Sequence, residues 1–178
     1  VIGNPPWVTN SRQGKNNSLN VPSKSNIYGL KGIDAITGKS NFDISEFITL
    51  QLLHLSQLNR GGISFLLKNS VIRNILVKQN SEEFHIGNIE QRLIDASSEF
   101  NVSVDASCFF AQFDCSPSFT CKVLDFYTNS YIREYGWVNK SFVSDTKLYR
   151  DVSKYDSVSS YVWRSGIKHD CASVLELT

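Results

Sequence analysis

The sequence predicts an α/β domain, and three observations carry that prediction. An apolar pair, Val1-Ile2, runs through Gly3 into a rigid Asn4-Pro5-Pro6-Trp7 segment, as the tip of a buried strand would. A capped helix pattern followed by a short apolar run spans Asp43 to Leu67. Further on, an alternating segment and a second apolar segment flank a turn and read as an antiparallel pair. Strand tip, helix, strand, helices and terminal hairpin is the order of a sheet with flanking helices.

Each element has its own warrant. Val1-Ile2-Gly3 is too short to stand alone and fits the carboxyl end of a strand. From Val8 to Ser40 the chain is rich in Asn, Ser, Gly and Lys without an apolar period, which predicts a long polar loop. Asp43, with Glu46 three residues on, is a capping-box-like start with Asp43 as N-cap. Ile44, Phe47, Ile48, Leu52, Leu55 and Leu58 then recur near helical spacing until Arg60-Gly61-Gly62 ends the run. Ile63 to Leu67 is uniformly apolar apart from Ser64, the pattern of a parallel strand covered on both faces. Asn69 or Ser70 can cap a next helix carrying Val71, Ile72, Ile75 and Leu76. Ile89 to Ala96 reads as a further helical patch. Val102 to Phe110 alternates as a strand, Asp114 to Ser118 has turn composition, and Cys121 to Tyr127 is expected to return antiparallel to that strand. After Asn129 aromatic residues are scattered among charges. Residues 1–129 are therefore taken as one unit, and 130–178 as a C-terminal arm or the start of another domain.

Composition narrows the class. A chain of 178 residues, 41% apolar, can hold one domain with a real core, or part of a larger one. No apolar run approaches the roughly 18–20 residues needed to span a bilayer, and no signal-peptide pattern opens the chain, so a soluble, cytoplasmic protein is expected. The chain contains no methionine and begins in what reads as the end of a strand, which predicts an excerpt lacking an N-terminal half. Cys108, Cys115, Cys121 and Cys171 form no C-x-x-C pair and have no His at ligand spacing; free thiols and no metal are expected. Net charge is +1, but Arg12, Lys15, Lys24, Lys31 and Lys39 face a single acid, Asp34, between Val8 and Ser40. Such a stretch suits phosphate or simply solvent.

Asn4 to Trp7 carries the chemistry. An exocyclic amino group on an aromatic ring attacks poorly, because its lone pair is delocalised into the ring. Two acceptors aimed at its N–H bonds favour the pyramidal form and stabilise the positive charge that develops on nitrogen. Asn4 can offer its side-chain oxygen and Pro5 its backbone carbonyl, held by a fixed φ. Trp7 can stack on the base face, worth about 1–3 kcal/mol per base. The plainer reading of Pro5-Pro6-Trp7 is a rigid strand exit or a proline-rich ligand segment.

The segment resembles the catalytic motif of the N6-adenine DNA methyltransferases of bacterial restriction–modification systems, including those that fuse nuclease and methylase. Gly32 to Glu46, Gly61 to Arg73 and Trp163 to Cys171 resemble, more weakly, the segments that follow that motif. The resemblance implies the latter part of a Rossmann-like methyltransferase sheet with a terminal antiparallel hairpin. It further implies methyl transfer from S-adenosylmethionine to adenine N6 in a specific duplex sequence, on a base flipped out of the stack. Asn4 and Pro5 would bind the amino group and Trp7 would stack on the base, with Pro6 the remaining member of the catalytic motif. A second aromatic is expected just before the first strand of the hairpin; Phe100 fits best, with Phe109 and Phe110 as alternatives. Residues 130–178 would lead toward target recognition.

One departure bears on activity. The glycine-rich cofactor motif and the acidic residue for the cofactor ribose are missing from this sequence, and Gly61-Gly62 does not replace them. The chain alone is expected neither to bind S-adenosylmethionine well nor to turn over, and to need the cofactor-binding half and recognition domain of a parent protein. A catalytically incomplete DNA- or protein-binding module is the rival reading, and methylation of RNA or a protein amide the third. Lys31, Lys39 and Arg73 are candidate phosphate contacts. His169-Asp170, without a second His/Asp cluster, reads as a surface pair.

Overall fold

A computed structural model describes residues 1–8, 43–56, 59–113, 115–158 and 161. The α/β class holds: among these residues helices pack on one mixed, seven-stranded sheet. Strand β1 (Ile2–Gly3) pairs in parallel with β2 (Gly62–Lys68), which follows helix α1 (Ile44–Ser56). Helix α2 (Asn69–Glu82), strand β3 (Ile86–Ile94) and the short helix α3 (Ala96–Phe100) come next. Strands β4 (Ala106–Phe113), β5 (Thr120–Asp125), β6 (Tyr131–Val138) and β7 (Ser141–Val143) precede helix α4 (Thr146–Val152). The strand order is β1-β2-β4-β3-β5-β6-β7.

The start of α1 follows the sequence reading. Asp43 Oδ1 accepts from the Ser45 amide at 3.0 Å, and its other oxygen pairs with Lys68 Nζ at 2.6 Å, tying the helix start to the end of β2. Ile44 donates to the Val8 carbonyl at 2.9 Å, so α1 begins beside the Asn4–Trp7 segment. Leu50 and Leu53 of α1 and Val71, Ile72, Ile75 and Leu76 of α2 enter one core with Ile63, Phe65, Leu67, Phe84, Phe109 and Val123. Helix α2 lies across β2, β4 and β6 and covers one face of the sheet.

Several expectations need correction. Ile89 to Ala96 is mostly strand β3, with helix beginning only at Ala96. Ile89 and Gln91 are buried at a period of two, and a register shift between Gly87 and Glu90, with Asn88 at φ 48°, lets Ile86 share the inner face. The alternating strand starts at Ala106 and runs on to Phe113. Cys121 to Tyr127 does not return against it: β5 pairs in parallel with β3, and β4 lies antiparallel between β2 and β3. Strand β2 is therefore half parallel and half antiparallel, and its burial alternates instead of being complete on both faces. Neither Asn69 nor Ser70 caps α2. Lys68 holds the N-cap position without a side-chain bond, and Asn69 Oδ1 accepts from Ser107 Oγ at 2.6 Å instead.

The sheet does end in an antiparallel hairpin, but β6 and β7 build it, and it extends the same sheet beyond residue 129. Asn139, at φ 56°, makes the two-residue turn between them. The polar loop, Leu58, Asp114 and the stretch Trp163 to Cys171 lie outside the described residues. Among the described residues no helix is long and apolar enough to cross a membrane.

Candidate target-base site

Asn4, Pro5, Pro6 and Trp7 leave the carboxyl end of β1 and line a cavity of about 250 Å³, completed by Leu66, Phe100 and Val102. Residues 93 positions apart thus meet at one recess. Pro5 is buried, while Asn4 is exposed and its amide makes no hydrogen bond among the described residues, which leaves its oxygen free to accept. The Trp7 indole is partly buried and donates Nε1–H to the Leu66 carbonyl at 3.0 Å. That bond fixes the ring plane against β2.

Phe100 reaches the cavity because α3 stops there. Asp95 caps the helix, its Oδ1 accepting from the Ser97 and Ser98 amides at 3.1 Å each. Bonds from the Ser98 side chain and amide hold the Asp95 carboxyl below its usual pKa, so the cap stays ionised. Asn101, at φ 52°, ends the helix in the left-handed conformation. The Tyr127 hydroxyl donates to Glu99 Oε1 at 2.7 Å, and that bond raises the phenol's pKa. Phe100 itself is 50% exposed, a large apolar ring open to a ligand.

The alternatives to Phe100 lie elsewhere. Phe109 is 1% exposed in the core. Phe110 points to the other side of β4, into a shallow recess with Ser64, Glu90, Arg92, Cys108 and Phe126. Arg73 stands on α2 in a different cavity. Lys31, Lys39 and His169-Asp170 fall outside the described residues. The sequence reading missed Leu66 and Val102 as lining residues. Leu66 had a signal in its alternation with the inward Phe65 and Leu67; Val102, in an irregular segment, had none.

Gly61, at φ 129°, immediately precedes strand β2, which Gly62 opens. No group of three His, Cys, Asp or Glu among the described residues is arranged to hold a metal. Cys108, Cys115 and Cys121 are free thiols. Burial pushes the Cys121 thiol up to about 12, and burial also raises Cys108, with Arg92 opposing it.

The chain is similar to the type II methyltransferase M.NspV of Nostoc sp.. Identity is 42% over 179 residues, covering 99% of this chain. The chain spans 37% of that relative's length. No protein-family model matches it.

Proposed function

We propose that this chain is the target-base part of a site-specific DNA methyltransferase of a restriction–modification system, acting on adenine N6. The observation that carries the reading is the cavity in which Asn4, Pro5, Pro6 and Trp7 face Phe100, in a chain so similar to a type II methyltransferase. At about 250 Å³ it falls below the roughly 300–1,000 Å³ of pockets for drug-sized ligands, which suits one flipped base.

The donor, S-adenosylmethionine, supplies an electrophilic methyl when bound. What this chain contributes is the grip on the acceptor. Asn4 Oδ1 and the Pro5 carbonyl accept the two N–H bonds of the amino group, favouring the pyramidal nitrogen and stabilising its developing charge. Trp7 and Phe100 present aromatic surface to the extruded base, Trp7 held in plane by Leu66. A strong general base is unnecessary, because the amino proton becomes acidic as the methyl bonds. Recognition of the DNA sequence, and the wider duplex contacts, fall to the segment beyond the sheet and to further domains.

Incubating the full-length protein with S-adenosylmethionine carrying a labelled methyl, in parallel with duplex DNA, RNA and protein, tests the reading. Label confined to DNA supports it. Label in RNA or protein alone points to a planar amino or amide acceptor of another kind, and none in any substrate to a binding module that has kept the shape without the chemistry.

A further inference from the structure

A second cavity, of about 570 Å³, opens on the α2 side of the sheet, where β2 and β3 finish and β6 begins. Arg73 of α2 and Arg133 of β6 both line it, with Gln91, Tyr135, Phe142 and Ser144 among the other walls. No carboxylate is among its lining residues.

Both guanidiniums are held by aromatic surface. Arg73 lies 5.3 Å from the Phe142 ring centroid and Arg133 lies 5.8 Å from that of Tyr135. The two rings meet edge to face at 6.2 Å. Arg133 Nη1 also donates to the Ser144 carbonyl at 3.1 Å. Neither arginine makes an ion pair among the described residues.

The floor is closed on itself. The Tyr135 hydroxyl donates to Gln91 Oε1 at 2.8 Å, Gln91 Nε2 donates to Ser107 Oγ at 3.1 Å, and Ser107 Oγ donates to Asn69 Oδ1 at 2.6 Å. Burial raises the Tyr135 pKa, with Arg133 and Arg73 partly opposing it, so the hydroxyl remains a donor to Gln91. With the floor satisfied internally, the charged donors left at the mouth are the two guanidiniums. Two like charges sharing a cavity without a counter-ion repel one another, and an oxyanion between them would relieve that repulsion. Guanidinium forks match phosphate oxygens in pairs.

We infer that the Arg73–Arg133 cavity is a phosphate-binding site that takes a backbone phosphodiester of the DNA duplex, away from the target base. That the phosphate belongs to DNA rests on the function proposed above; the anion site rests on the cavity alone. Asn69 and Ser70 set it just past the carboxyl end of β2, the strand whose Leu66 carbonyl accepts from Trp7.

The test measures duplex affinity of the full-length protein across a salt series, for wild type, the Arg73→Gln/Arg133→Gln pair and the Arg73→Lys/Arg133→Lys pair. Each phosphate contact contributes about 0.9 to the slope of log affinity against log salt. The glutamine pair is expected to bind more weakly at low salt and to lose a slope of about 0.9, the share of one phosphate. The lysine pair keeps both charges and should keep most of the wild-type slope. Calorimetry with inorganic phosphate forms a second arm, in which wild type should bind and the glutamine pair should not. An unchanged slope in the glutamine pair, with wild type still methylating DNA, overturns the site and leaves the function standing. A lysine pair that loses as much slope as the glutamine pair overturns the electrostatic assignment. Phosphate binding that depends on both arginines in a protein indifferent to DNA upholds an anion site for a free phosphate compound and overturns the function. Absence of both bindings overturns both.

Discussion

The indole N–H of Trp7 is bonded to the carbonyl oxygen of Leu66 at 3.0 Å, across 59 residues of chain. One aromatic plane at the site is thereby locked to a strand of the sheet. A preset ring loses little freedom when a base stacks on it.

Replacing Trp7 separates the ring from its tether. Trp7→Phe keeps a flat face but loses the bond to Leu66, and is expected to raise KM for DNA several-fold while retaining turnover. Trp7→Ala removes the face, and should weaken binding of an extruded base by about 1–3 kcal/mol. Steady-state methylation, with 2-aminopurine fluorescence at the target position, reads both effects.

Phe100 and Phe109 should behave in opposite ways. Phe109→Ala empties a site that is 1% exposed and is expected to cost about 3–5 kcal/mol of stability in urea unfolding. Phe100→Ala, at a half-exposed ring, should leave the unfolding midpoint nearly unchanged and lower methylation at least tenfold. A large stability loss at Phe100 would show that the ring is core.

Gly136 is a backbone requirement. Its φ is 143°, and an added Cβ would stand 2.3 Å from the Phe119 carbonyl oxygen and 2.8 Å from Thr120 Cα. Gly136→Ala should destabilise by on the order of 1–3 kcal/mol from backbone strain alone, and by more from the clash. Equilibrium unfolding of the variant measures it.

Cys121 makes stability fall in alkali. Burial raises its thiol pKa from 9.0 to about 12, so between those values the unfolded chain releases a proton that the folded chain keeps. Its contribution is complete below pH 9 and is lost as pH rises toward 12, at up to about 1.4 kcal/mol per pH unit. The raised Tyr135 acts in the same sense. Urea unfolding between pH 8 and pH 10 should show this decline, and Cys121→Ala should flatten it by roughly one proton.

Local signals made part of this legible in the sequence. Asp43 announced the start of α1 because its carboxylate has a short-range task, and Asn4 to Trp7 stood out because two prolines and an aromatic leave little conformational choice. Strand β3 was misread because Ile89, Leu93 and Ala96 fall at helical spacing, while the bulge after Gly87 breaks the two-residue period that would mark a strand. Strand β6 was hidden because Tyr131 to Arg133 are exposed and the strand becomes buried at Tyr135 and Gly136. That β5 joins β3 instead of β4 depends on pairing between distant segments, which no local pattern encodes. The meeting of Phe100 with Trp7 is of the same kind: each residue was noticed, and the sheet order brings them together.

The most direct test of the central claim is nucleoside mass spectrometry of duplex DNA treated with S-adenosylmethionine and the full-length protein, wild type or Asn4→Ala. Loss of one acceptor aimed at a developing charge typically costs about 10²–10³ in rate. N6-methyladenine from wild type, reduced by that factor or more in a folded Asn4→Ala protein, is the result expected. Methylation at near wild-type rate by Asn4→Ala, or a methylated base other than adenine, would contradict the account.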